Sequence, residues 1–337
     1  MSETVVARAP GKLFLLGEYA VLDDCPAVVA AIDRHVEVRV ERASCGARVR
    51  ISAPACADAD FPALHPPAIE GPLRFVIAAF SAALLRCPEI GHHGWSLKIA
   101  SAMTEPDGTK VGLGSSAAVT TATLAALLAA ARKEVGRDDL FAAALDAHRA
   151  AQGGVGSGAD VAASVYGGLV LFRPRGQALP TVAPLQLPSD SQLLAAWSGE
   201  SASTPGLVKH YLATRNCGAA AHATFLCASR SCVDSFVSAL GQGRLSHAAI
   251  DGNGAALARL GERLGLPVVT PRLVRLVAIA HRHGAAAKIS GAGSGDCGIA
   301  LTRNATAADE IRRGWRAAGL APLDVALDPT GVTLGRH

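Results

Sequence analysis

The chain predicts an α+β fold in two domains, and three observations carry that expectation. Strand and helix patterns are mixed without the regular βαβα rhythm of a doubly wound sheet. The 337 residues exceed the length of an average domain. A stretch with four prolines and no helical period, 173–190, divides the chain, giving expected domains 1–182 and 183–337.

Taken in order, 35–40 (HVEVRV) alternates strictly, as do Trp95, Leu97 and Ile99, so both read as half-buried strands. Residues 43–72, rich in Ala, Pro and Asp, read as an irregular excursion before a helix near 72–86. An Ala/Leu/Thr helix is expected over 116–132, closed by Arg132-Lys133-Glu134 and Gly136; Asp138 is the expected N-cap of the next, 139–152. Residues 161–166 suit a helix or a strand, and 168–172 (GLVLF) a strand. The second half reads as strand 192–197, helices near 205–215, 219–240, 246–264 and 271–283, strands 285–290 and 298–302, helix 305–318 and strand 322–327.

Composition narrows the function classes. Half the residues are hydrophobic, ample for a core, which excludes disorder. The net charge of +4 is dispersed and aromatics are only 4%, which argues against a nucleic-acid partner. The opening MSETVVARAPGK has no signal-like apolar segment, and no run reaches the about 18 apolar residues of a membrane span. Eight cysteines without a CxxC pair lack zinc-site spacing and suggest a reducing, cytoplasmic setting.

Three glycine-rich segments carry the chemistry. KVGLGSSAA at 110–118 opens the long helix: two glycines let backbone approach an anion, and free N–H donors with the positive dipole end follow. A glycine turn with a serine cap fits that spacing equally well. It is not a Walker A loop. QGGVGSGAD at 152–160 follows a helix rather than a strand, so its loose GxGxxG match fails on context. KISGAGSGDCG at 288–298 follows a strand and precedes another, so the receiving helix of a dinucleotide fold is missing. One such loop favours a tight hairpin; three together favour phosphate chemistry.

PGKLFLLGEY at 10–19, GLGSSA at 112–117 and SGAGSGD at 290–296 resemble, in order and spacing, the three motifs of the GHMP small-molecule kinases. The resemblance spans nearly the whole chain. It implies an N-terminal ribosomal-protein-S5-domain-2-like domain, a ferredoxin-like C-terminal domain, and ATP and substrate in the cleft between them. Gly17-Glu18-Tyr19, Lys110 before the glycine loop, WSGESAST at 197–204 and Asp296-Cys297-Gly298 are similar to the branch of the family whose acceptor is 5-phosphomevalonate. Mevalonate or another alcohol or sugar as acceptor, and a metabolite sensor without turnover, are the alternatives. The expected molecule is a monomer or homodimer.

What the resemblance implies for single residues follows. Lys12 and Asp160 are the expected catalytic pair, Lys12 offsetting charge on the moving phosphoryl group. Lys110, Gly112, Leu113, Gly114, Ser115, Ser116 and Ala117 would hold ATP, with Ser116 as magnesium ligand. The magnesium-binding Glu of the family's mevalonate kinases has no counterpart; Asp146, His148 and Gln152 occupy that helix. Glu18, Tyr19, His148, Ser157, Gly158, Ser201, Ser203 and Thr204 are expected around the acceptor, joined by Gly291, Ala292, Gly293 and Asp296. Charge for two anions would come from Lys12, Lys110 and His148. Lys12 has the plainer role of a solvated strand end, Asp160 that of a helix cap, and Arg149 and Lys209, also available, that of helix-face charges. A phosphomonoester, with second pKa about 6, is largely dianionic at pH 7. Asp160 would then orient Lys12 or metal more than it takes a proton. Lys288 suits either the loop's chemistry or an exposed strand face; Cys297 reads as core packing, and His210, His281 and His283 as surface residues.

Overall fold

The computed structural model describes residues 4–44, 46–54, 56–103, 111–216 and 219–336. Lys110, expected at the nucleotide, lies outside the described residues, as do Cys45 and Cys217.

The first unit grows from β1 (Thr4–Leu16) and β2 (Ala27–Ala43), a long antiparallel pair joined through a 3-10 turn, Ala20–Asp23. The far half of β2 alternates as its sequence predicts: Val36, Val38 and Val40 are buried, while their neighbours are not. Its near half, AVVAAI, is buried on both faces and reads accordingly as an unbroken apolar run. The excursion expected to be irregular holds β3 (Arg48–Ser52) and β4 (Ala59–Pro62), an antiparallel hairpin. The alternation of Val49 and Ile51 with Arg48, Arg50 and Ser52 is its signal, short enough to vanish in an Ala/Pro/Asp background.

α1 (Arg74–Arg86), β5 (Gly94–Ser101) and α2 (Ser115–Ala130) follow. α3 (Arg137–Ala151) begins earlier than expected: Gly136 caps it, and Asp138 with Asp139 occupies the first turn, where acidic charge suits the helix dipole. Residues 161–166 resolve as helix, in α4 (Ala159–Tyr166), before β6 (Leu169–Arg175) and β7 (Ala178–Leu185).

The second unit contains β8 (Gln192–Trp197), α5 (Thr204–Thr214), α6 (Ala219–Gly241), α7 (His247–Leu264) and α8 (Pro271–Arg282). β9 (Ala286–Ser290), β10 (Cys297–Thr302), α9 (Ala305–Ala317), β11 (Ala321–Leu323) and β12 (Thr333–Arg336) complete the chain. The strand expected over 322–327 stops at Leu323, and Leu327 instead bridges to Ile32 in β2.

One sheet runs β12-β1-β2-β5-β3-β4, with β6 on β2 and β7 on β6; the other runs β11-β8-β10-β9. The expected boundary after 182 falls inside β7, which pairs with β6 through Leu185, and β12 returns to β1. The second sheet is buried on both sides with period two. Leu194, Ala196 and Ala300 pack with Leu276 and Trp315, while Ala195, Ile299 and Leu301 join Val233, Phe236 and the core of the first unit. This shared core holds the two sheets against each other and leaves a cleft where the three glycine-rich segments meet. No described helix is long and apolar enough to cross a membrane.

Candidate active site

The cleft is a cavity of about 440 Å³, and its walls come from every motif the sequence singles out. Lys12 and Phe14 enter from β1, Gly112 to Ser116 from the start of α2, Ser157 and Asp160 from the start of α4. Ser203, Thr204 and Pro205 enter from the start of α5, and Gly291, Ala292 and Asp296 from the loop between β9 and β10.

Lys12 stands where β1 bulges between Pro10 and Gly11. Its N–H bonds to the Leu113 carbonyl at 2.7 Å and its Nζ donates to the Gly112 carbonyl at 3.1 Å, so the cation is tied to the glycine loop. Two glycines are obligatory there. Both have positive φ, +80° at Gly112 and +85° at Gly114. A Cβ at Gly112 would lie 2.5 Å from Asp296 Cγ, and one at Gly114 would lie 2.7 Å from Lys12 Cγ. The missing side chains thus make room for protein, letting Lys12 and Asp296 close on the loop from opposite sides. Beyond them, Ser115 and Ser116 begin the buried helix α2, whose first N–H groups have no intrahelical acceptor.

His148, in α3, is buried behind Ser116 and does not line the cavity. Its Nε2 lies 3.2 Å from Ser116 Oγ and 3.7 Å from Asp160 Oδ2, and its ring stacks on Phe75 with centroids 5.2 Å apart. Burial lowers its pKa below the ordinary value; Asp160 opposes this, and Arg149 and Arg74 add to it. His148 is therefore neutral at pH 7, which corrects the expectation that it supplies positive charge.

Asp160 sits in the first turn of α4 behind the αL cap Gly158, its Oδ1 accepting from the Val161 N–H at 3.0 Å. Ser157 Oγ accepts from the Ala159 N–H at 3.3 Å. Tyr19 is buried with its hydroxyl donating to the Ala292 carbonyl at 2.6 Å; burial, then Glu18, pushes its pKa up. That hydroxyl ties the first motif to the third.

The third loop is stitched to 197–204. Asp296 N–H donates to the Glu200 carbonyl at 2.7 Å, Ser198 N–H to the Asp296 carbonyl at 2.8 Å, and Ala202 N–H to Asp296 Oδ1 at 3.0 Å. Burial raises the Asp296 pKa, against the Ala202 bond and the charge of Lys12. Cys297 is buried, donates to the Val111 carbonyl at 3.0 Å and has its pKa raised by burial, as a packing residue should. His281 and His283 pair with Asp251 and Glu310, and His210 with the Leu264 carbonyl.

Of the remaining expected residues, Ala117, Gly158 and Gly293 stand behind the wall, and Ser201 is exposed away from it. Arg74, at the start of α1, was not expected. It lines the cavity with its guanidinium 4.7 Å from the Phe75 ring centroid and bonded to the Gly71 carbonyl at 3.1 Å. Among the described residues the walls carry Lys12 and Arg74 against Glu18, Asp160 and Asp296. Carboxylates thus outnumber cations on the described part of the wall, and a bound cation would suit phosphate there. No described cluster of three His, Cys, Asp or Glu side chains is placed to hold a metal ion.

Family models describe two parts of the chain: the GHMP kinase N-terminal domain matches residues 74–168 and the GHMP kinase C-terminal domain 238–320. A phosphomevalonate kinase from Streptomyces sp. (strain CL190) is 35% identical over 98% of this chain and 98% of its own. Among solved structures, a Lin0012 protein from Listeria innocua superposes with a TM-score of 0.91, at 25% identity over 98% of this chain and 99% of that one. The Streptococcus pneumoniae phosphomevalonate kinase, in complex with phosphomevalonate and AMPPNP, superposes with a TM-score of 0.81, at 25% identity over 96% and 99%.

Proposed function

The chain belongs to the GHMP kinase family, and from that premise we propose that it moves the terminal phosphoryl group of ATP onto the phosphate of 5-phosphomevalonate, giving the diphosphate and ADP. The observation that carries this reading is the convergence of the α2 N-terminus, Lys12 and Asp160 on one cavity. The full-length likeness to phosphomevalonate kinases supports the choice of acceptor.

In this reading the polyphosphate lies on the N–H groups of Gly114 to Ala117, where the dipole favours anions. A phosphate oxygen of the acceptor forms the new P–O bond as the bond between the β–γ bridging oxygen and the γ-phosphorus of ATP breaks. The nucleophile is already a dianion, so no base is required. Lys12, held by the Gly112 carbonyl, faces the charge that spreads over the transferred group. Arg74 replaces His148 as the second cation of the wall. Asp160 orients the groups around it rather than taking a proton. The Ser116 hydroxyl and Asp160 carboxylate, both near His148 Nε2, are hard oxygen donors of the kind magnesium accepts beside phosphate and water. Held there, such an ion would neutralise part of the phosphate charge beside the carboxylates of the described wall. The family-model matches leave 169–237 between them, which supports a division after β7 rather than the one expected after 182. Reduced cysteines at all six described positions suit a cytoplasmic setting.

Incubating the protein with Mg·ATP and mevalonate, 5-phosphomevalonate or galactose, and following ADP, tests the proposal. ADP release with 5-phosphomevalonate alone is expected. Release with mevalonate alone would move the enzyme to an alcohol acceptor, and no release with any acceptor would favour a sensor.

A further inference from the structure

Lys288 lies in the middle of β9, and its side chain has no solvent exposure. Gly254 of α7 gives it room, since a Cβ there would lie 3.0 Å from Lys288 Cβ. The ammonium crosses from the second unit to the first, donating to Glu18 Oε1 and to the Ile289 carbonyl. Glu18 is itself 3% exposed. Such a pair is a poor way to fill a core. Two aliphatic residues would occupy the same volume without desolvating two charges, whereas removing one partner strands the other.

Two further facts point to a use. Glu18 lines the cavity, and its second oxygen, Oε2, is shielded from solvent yet has no hydrogen-bond partner. The Glu18 side chain is 2% exposed and Lys288 holds its other oxygen, so the carboxylate has little freedom to seek a donor elsewhere. A fixed, unpaired carboxylate oxygen repels phosphate and suits a neutral O–H donor. An acceptor such as 5-phosphomevalonate carries one on its carbon skeleton.

We propose that Lys288 is a positioning residue that reaches across the interface to fix Glu18, so that the free carboxylate oxygen accepts a hydrogen bond from the acceptor's hydroxyl group. The proposal rests on the reading of the cavity as the acceptor site. Lys288 touches no substrate and acts only through Glu18.

The test measures KM for acceptor and for ATP, together with melting temperature, in the wild type, Lys288→Met and the double variant Glu18→Leu/Lys288→Met. Each is assayed with 5-phosphomevalonate and with its 3-deoxy analogue. The wild type should prefer the hydroxylated acceptor by at least about tenfold in kcat/KM, because a buried acceptor left unpaired is costly. Lys288→Met should raise KM for the acceptor about tenfold, leave KM for ATP within about twofold, and erase most of that preference. The double variant should regain wild-type melting but not acceptor KM, and it serves alone if the single variant does not fold. Recovery of both properties in the double variant would make the pair purely structural and overturn the proposal. Equal use of the two acceptors by the wild type would also overturn it, leaving the kinase reading intact; no turnover of either would instead strike the kinase reading.

Discussion

At the scale of the residue, the site separates groups by how much of their role is local. Lys12 and Asp160 could be singled out only through the family motifs in which they sit, and the fold brings both to the cavity wall. Arg74 was not, since a lone arginine at a helix start looks like any solvated charge until the fold turns it into the cavity. The state of His148 was also hidden, because its neutrality comes from burial behind Ser116, Phe75 and Asp160. Steady-state rates with 5-phosphomevalonate should fall at least about 10³-fold in Lys12→Ala, since the variant loses a preorganised charge at the transferred group. Asp160→Asn should stay within about tenfold to 10²-fold of wild type, and the reverse ranking would reject the roles given to the pair. Asp296 makes a linkage prediction. Its folded pKa is raised, so the ionised form is disfavoured in the fold: the cost is absent in strong acid and appears as pH rises through the folded value. Asn keeps the acceptor for the Ala202 N–H and removes the charge. Asp296→Asn should therefore melt above wild type at pH 7, by about 1 kcal/mol of stability, with the difference vanishing toward pH 3. Calorimetry across that range checks it.

At the scale of the element, the long helix was readable from its Ala/Leu/Thr run and the charged, glycine-marked end that closes it, whereas the hairpin of β3 and β4 was not. Its strands are five and four residues long, and β3 finds its second partner in β5, far along the chain and parallel to it. Pairings of that range leave little local trace. The glycine loop before α2 was legible as a loop, but the reason for its glycines was not. Spacing suggested a backbone bared for phosphate, while the structure shows Gly112 and Gly114 also accommodating Asp296 and Lys12. Gly114→Ala should displace the Lys12 side chain and strain the backbone. We expect a stability loss of about 1–3 kcal/mol by urea titration and at least tenfold weaker ATP binding by calorimetry. Unchanged ATP affinity would show that Lys12 and the loop are not mechanically joined.

At the scale of the whole molecule, the α+β class and the division into two units were visible in composition shifts and element order. The return of the chain end to the first sheet was not, because β12 is four residues without a distinctive pattern. Asp328 anchors that return. Its Oδ1 accepts from the Thr330 N–H and hydroxyl, both at 2.8 Å, and from the Gly331 N–H at 2.9 Å, while Oδ2 meets His35 Nε2 at 2.7 Å. Burial raises its pKa, but His35, Thr330 and Gly331 together outweigh burial and hold it below the usual carboxylate range. The depressed value means stability present at neutral pH and lost as pH falls through the folded value. Asp328→Asn should cost about 1–2 kcal/mol at pH 7 in urea unfolding and progressively less in acid. A penalty that grows in acid would reverse the sign and reject the linkage.

The contact of Gly112 with Asp296 has a consequence for any attempt to divide the protein. The two residues belong to different halves, and Gly112 has no side chain where Asp296 closes on it. A chain cut in the exposed link after residue 188 would leave each fragment with only part of the cavity wall. ATP affinity in a mixture of the two fragments would then report whether they reassemble, because the cavity is complete only when both are docked.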